Sequence, residues 1–190
     1  MRIIIAGIAV AALLLLAVAG SVLPFLKARA FIEANQNART GQLTIDQYLA
    51  NFEQAFKFTS PTGQEEAVYF FENEILQIIN QKPEEKVVSR LLEFASSYVD
   101  AKSIRHMVMI SAMYEVAWRL YNVSAYAEKA EAYYLEIHQR APKLPQPLYG
   151  LFRMYHLSGQ QERAQEMGEK IIALWPNDAT VKGILEAGGN

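Results

Sequence analysis

The chain has no cysteine, no clustered histidines and no excess of basic charge. Without cysteine there is no thiol nucleophile and no thiolate metal site, although the absence fits either redox compartment equally. His106, His138 and His156 fall in separate segments and no His-x-x-x-His occurs, so the clustered ligands of a zinc site are missing. Eighteen Lys and Arg against 20 Asp and Glu leave a net charge of −2 and a pI near 6.0, which is no footprint for nucleic acid. G-x-S-x-G, the P-loop and the Gly-rich dinucleotide loop are all absent. Two carboxylate pairs remain, Glu65-Glu66 and Glu84-Glu85. Each opens a predicted helix, where an acid complements the helix dipole by about 0.3–1 kcal/mol. The expectation is a non-catalytic protein with no cofactor and no metal.

Charge is also missing from one long stretch. Residues 3–26 contain none, a run of twenty-four. At about 1.5 Å per residue such a helix crosses a hydrocarbon core of roughly 30 Å with some tilt. A retained membrane helix over 1–26 is the favoured reading. A cleaved signal peptide is the rival, since Ala17-Val18-Ala19 offers small residues for a cut. Against it, the charged region ahead of the run is only Arg2 and the amino terminus, and the apolar run continues through Val22, Leu23 and Phe25. Pro24 is expected to kink the helix end. Lys27, Arg29 and Arg39 follow the span while Arg2 precedes it, so the positive-inside count alone favours a cytoplasmic C-terminal part.

No strand alternation occurs, and the rest reads as helices. The first, 27–39, continues from the span with Phe31, Ala34 and Ala38 on one side, and Thr40-Gly41 breaks it. Thr44 caps a helix carrying Ile45, Tyr48, Leu49, Phe52, Ala55 and Phe56. Ser60-Pro61-Thr62-Gly63 is a turn. The next helix, 64–81, carries Ala67, Val68, Phe71, Ile75, Ile78 and Ile79 near helical spacing. Pro83 suits the first turn of the helix after it, with Val87, Leu91, Leu92, Ala95 and Tyr98. Asn177-Asp178 opens a short closing helix with Val181, Ile184 and Leu185, ended by Gly188-Gly189.

Within this series a spacing recurs. Tyr121, Ala130 and Pro142 reappear thirty-four positions later as Tyr155, Ala164 and Pro176. Tyr114, Ala117, Trp118 and Tyr121 form one packing stripe; Leu148, Leu151, Phe152 and Tyr155 form the next. Gly159 permits the turn, and Ala164 is small enough for close helix packing. A 34-residue period of this kind resembles the tetratricopeptide (TPR) repeat, two antiparallel helices stacked on the next pair. The expected fold class is all-α, an N-terminal transmembrane helix followed by a TPR-like antiparallel helix-pair solenoid. Irregular pairs fill 27–102, and two repeats with a capping helix fill 103–190. Aromatics such as Tyr69, Phe70, Phe71, Tyr133 and Tyr134 read as interface filling.

One constellation could bind. On the face opposite each packing stripe lie Glu115, Arg119 and Asn122, then Tyr149, Arg153 and His156. Arg119 and Arg153 are thirty-four apart, so stacking aligns them on one side, which the TPR resemblance implies is the concave groove that takes a protein or peptide partner. There they could hold a carboxylate or phosphate. If they do, replacing both with alanine weakens capture of an acidic partner while barely altering stability. The competing reading is a solvated face with a local Glu115–Arg119 pair.

The order of elements also resembles the C-terminal part of the bacterial O-antigen ligase/polymerase family. Asn51-Phe52-Glu53-Gln54-Ala55-Phe56-Lys57 is similar to that family's F-x-x-A helix. Ser60-Pro61-Thr62-Gly63-Gln64-Glu65-Glu66 is similar to its Gly-x-x-Glu helix opening, and Pro145-Gln146-Pro147-Leu148-Tyr149 is similar too. The polytopic core that carries glycan transfer in that family is absent here, so no catalytic residue is implied. The resemblance implies a single-pass protein of the bacterial inner membrane with its repeats on the periplasmic side. It leaves two functions open: a membrane-tethered scaffold in envelope polysaccharide or protein assembly, or a C-terminal fragment of such a glycan transferase without its catalytic core.

Overall fold

The computed structural model describes residues 2–38 and 43–188, and all the regular structure among them is helical. Arg39, the expected break at Thr40-Gly41, and Gly189 lie outside the described residues. The chain forms two compact units, Met1–Phe71 and Glu72–Asn190.

In the first unit, α1 (Arg2–Ala17) runs through a π-helical turn (Val18–Val22) into α2 (Leu23–Ala38) without interruption. Proline accounts for the turn: Pro24 cannot donate a hydrogen bond, and its ring crowds the carbonyl four residues back. The widened turn accommodates this, with the Leu23 N–H reaching Val18 O, five residues back. The expected kink is thus a bulge just ahead of Pro24. Ile4–Asn37 is long and apolar enough to cross a membrane.

α3 (Ile45–Lys57) begins with a capping box: Gln47 N–H donates to Thr44 Oγ1 at 3.3 Å, and Thr44 N–H to Gln47 Oε1 at 2.9 Å. It packs along α2 through aromatic rings. Phe52 is fully buried, with centroids 5.6 Å from Phe31 and 4.5 Å from Phe71. Lys27 is only 3% exposed. Its ammonium donates to Phe58 O at 2.7 Å and Phe56 O at 3.4 Å, satisfying carbonyls that the end of α3 leaves open. α4 (Gln64–Asn80) begins in this unit and ends in the next, with Glu65 and Glu66 in its first turn.

In the second unit, α5 (Glu85–Ser97) buries Val88, Leu91, Leu92 and Ala95. Pro83 lies ahead of its first turn, since Glu84 is the capping residue and Lys82, at φ 55°, has already turned the chain out of α4. The Pro83 carbonyl instead accepts a hydrogen bond from the Tyr121 hydroxyl. Two antiparallel pairs follow, α6 (Ile104–Tyr121) with α7 (Ser124–Arg140), and α8 (Pro145–Leu157) with α9 (Gln161–Leu174). α10 (Ala179–Gly188) covers α9 and buries Val181.

The thirty-four-residue correspondence is closest in the second helices. Ala130 and Ala164 are buried, and Ile137 and Ile171 are fully so. The N–H groups of Ala141 and Trp175 close the two helices on those isoleucine carbonyls at 2.8 and 2.7 Å. Tyr114 and Leu148, and Ala117 and Leu151, are likewise buried. The correspondence slips at the connections. Asn122 takes a left-handed φ of 55° and stops α6 at Tyr121, whereas α8 runs to Leu157 before Gly159, at φ 74°, turns the chain. Tyr121 is therefore a half-buried helix end, while Tyr155 is buried within α8. Trp118 departs from its expected place in the core. It lies in the last turn of α6 at the margin of the packed face and is only partly buried.

Candidate partner groove

α6, α8 and α10 together line a groove of about 580 Å³, within the range of ligand-sized clefts. Arg119 comes from α6; Tyr149, Phe152, Arg153, His156 and Leu157 come from α8; Asp178, Thr180, Val181 and Ile184 come from the start of α10. Four of the six residues expected to make a binding face, Arg119, Tyr149, Arg153 and His156, are thus brought together.

Glu115 and Asn122 stand elsewhere. Glu115 is 1% exposed and therefore not part of a solvated face. α5, α7 and α8 all pack against α6, so a position flanking its packing stripe is covered rather than open. The carboxylate accepts the Tyr134 hydroxyl at 2.9 Å, and Arg153 forks onto both its oxygens, through Nε and through Nη2 at 2.6 Å. Arg119 reaches it only at 3.9 Å. The two arginines therefore differ: Arg153 is committed to an internal acid, and Arg119, half exposed, keeps its donors for the groove. Asn122 does not line the groove; its left-handed backbone ends α6.

Gly150 makes the Tyr134–Glu115 contact possible. A Cβ at that position would lie 2.5 Å from Tyr134 Cζ and 2.6 Å from Cε2, so the ring crosses α8 where α8 has no side chain. Burial, followed by the Glu115 charge, raises the Tyr134 phenol above its ordinary value. The hydrogen bond to Glu115 raises the Arg153 guanidinium further, against the effect of its burial.

At the other end, Tyr149 donates to Asp178 Oδ2 at 2.5 Å, and Val181 N–H donates to Asp178 Oδ1 at 3.0 Å. Asp178 thereby caps α10, and these bonds hold its carboxyl below the usual range. The same contact pushes the Tyr149 phenol up to about 12. Tyr149 also packs on Trp175, with centroids 5.8 Å apart. Phe152 stacks under His156 at 6.3 Å with planes 15° apart, and with Val181 and Ile184 it gives the groove an apolar floor.

Sequence reasoning missed a second polar cluster. Glu72 in α4 and His106 in α6 are 0% and 2% exposed, with His106 Nδ1 2.8 Å from Glu72 Oε2. The other carboxyl oxygen, Oε1, has no hydrogen-bond partner. Burial pushes the Glu72 carboxyl up to about 8, opposed by the Arg105 charge. Neither residue lines the groove. A signal was present: Glu72 lies on the stripe of Val68, Ile75 and Ile79, and His106 on that of Ile110, Met113 and Ala117. Among the described residues no three His, Asp or Glu converge as metal ligands would.

No protein-family model matches the chain, and no curated protein matches it. Among the described residues the regular structure is all helical, with one N-terminal helix long and apolar enough to cross a membrane.

Proposed function

We propose that the chain is a membrane-tethered, non-catalytic scaffold whose TPR-like helix pairs hold a protein or peptide segment in the groove of α6, α8 and α10. The observation that carries this reading is the contrast within the groove: Arg119 offers a half-exposed guanidinium beside an apolar floor of Phe152, Val181 and Ile184. That chemistry fits a short segment with a carboxylate set next to an apolar side chain. The non-catalytic part is supported by how the titratable groups are used. Asp178 is engaged by Tyr149 and by a helix cap, and Arg153 by Glu115, so within the groove these two charged groups are committed to internal partners. The tether is the 3–26 run, set by its resemblance in the bacterial inner membrane with the helix pairs on the periplasmic side, serving envelope polysaccharide or protein assembly.

The test is photo-crosslinking from Leu157, 56% exposed at the groove edge, in cells that carry the chain. A discrete adduct should form and should be lost with Arg119→Glu. An adduct indifferent to Arg119→Glu, or one formed equally from exposed Lys143 outside the groove, defeats the reading. A reporter fused after Asn190 and read for export tests the membrane side.

A further inference from the structure

We infer that the α3–α4 connection, residues 58–63, is a footing that rests in the headgroup layer of the same bilayer that α1 crosses. This rests on the membrane reading of residues 3–26. The apolar helix by itself does not say where the hydrocarbon ends, because Ile4–Asn37 is 34 residues, about 51 Å at helical rise. That exceeds a core of roughly 30 Å by a wide margin. The packing of α3 sets the limit. α3 lies against α2 from the Phe31–Phe52 contact down to Lys27, and it carries Asp46, Glu53 and Lys57. Charged side chains and a helix end are not tolerated against lipid tails. The hydrocarbon therefore ends at Leu26, and 3–26 alone spans about 36 Å, enough for a tilted crossing.

Lys27 is the next residue, and its ammonium holds Phe58 O at 2.7 Å. A Cβ on Gly63 would lie 3.8 Å from Lys27 Cδ, so the far end of the connection returns to the same level. Both ends of 58–63 are thereby held against the Lys27 side chain, directly after the lipid-facing Phe25 and Leu26, which are 66% and 38% exposed. The composition suits that depth. Residues 58–64 carry no charge, and Lys57 just ahead of them is paired with Glu53 at 2.8 Å, so Thr59, Ser60 and Thr62 supply hydroxyls without an unpaired acid beside them. Thr59, Pro61 and Thr62 are exposed. Hydroxyls match phosphate and ester oxygens, and the preceding Phe58 is half-buried beside them.

Because the chain has no cysteine, single cysteines can be introduced without removing any. The experiment places a nitroxide at Leu14, Gln36, Thr59 or Thr62 of the full chain in phosphatidylcholine/phosphatidylglycerol vesicles. Collision with oxygen and with a water-soluble nickel chelate is then compared. Leu14→Cys should be rich in oxygen and shielded from nickel, and Gln36→Cys, nine residues beyond Lys27, should be fully open to nickel. Thr59→Cys and Thr62→Cys should fall between, several-fold less open to nickel than Gln36→Cys. If both match Gln36→Cys while Leu14→Cys is in lipid, the footing is wrong and the tether stands. If Leu14→Cys is open to nickel, both fail.

Discussion

Replacing Arg153 with alanine tests whether the groove is built on an internal ion pair. The change removes both charged hydrogen bonds from a carboxylate that is 1% exposed and leaves Glu115 with the Tyr134 hydroxyl at 2.9 Å and Arg119 at 3.9 Å. Stripping one partner from a fully buried pair costs about 3–5 kcal/mol. Arg153 is about half exposed, so water enters the space it vacates and Arg119 can close part of the gap. The expected loss is therefore about 2–3 kcal/mol. Arg119→Ala, which removes a long contact from an exposed side chain, should cost about 0–1 kcal/mol. This asymmetry replaces the expectation that losing both arginines leaves stability untouched. Urea unfolding in detergent, followed by circular dichroism, measures both. The discriminating variant is Glu115→Gln with Arg153→Ala: with the orphaned charge gone, the double change should cost less than the sum of the single changes by about 1 kcal/mol or more. Equal losses from the two arginine variants, or strict additivity in the cycle, would refute the reasoning.

Three further outcomes follow from the packing. Glu72 is raised to about 8 from an ordinary 4.5, so the folded chain holds that proton more tightly than the unfolded one. Its contribution to stability is complete below about pH 4.5 and is lost as pH rises through about 8, up to a few kcal/mol. Urea midpoints should fall between about pH 5 and about pH 9 and should flatten in Glu72→Gln; a flat native profile sinks the raised carboxyl. Gly150→Ala gains about 1 kcal/mol of helix propensity. It also drives a methyl into a ring 2.5 Å away, an overpacking cost of about 1–3 kcal/mol, so a net loss in thermal unfolding is expected and a rise in Tm contradicts it. Lys27→Met keeps the stem and removes the donors to Phe56 and Phe58. The orphaned carbonyls should cost about 1–3 kcal/mol and speed hydrogen exchange at the end of α3, and unchanged exchange would count against the clamp.

What the sequence disclosed follows the range over which each feature is decided. Caps are local: Thr44 and Asp178 are legible because a short acceptor side chain before an apolar period meets N–H groups of its own first turn. The buried faces are nearly as local, and Phe52, Phe71, Leu91, Leu148 and Ile171 can be read from spacing alone. Glu115 could not be placed that way. Whether a flanking carboxylate meets water depends on whether α8 packs against the same side of α6, and on Tyr134 crossing at Gly150. The burial of Lys27 was hidden for the same reason, since a lysine after an apolar span counts only as a flanking charge until the end of α3 is brought to it. Even so, three of these sites left a mark in the sequence. A glycine inside a helix gives up about 1 kcal/mol against alanine, and Gly150 keeps that cost where a neighbouring ring needs the space. An acid among Val68, Ile75 and Ile79 and a histidine among Ile110, Met113 and Ala117 likewise break the local rule. A residue that is locally wrong for its own stripe implies a partner elsewhere in the chain. Pairing such exceptions, Glu72 with His106 and Gly150 with Tyr134, recovers long-range contacts that periodicity does not contain.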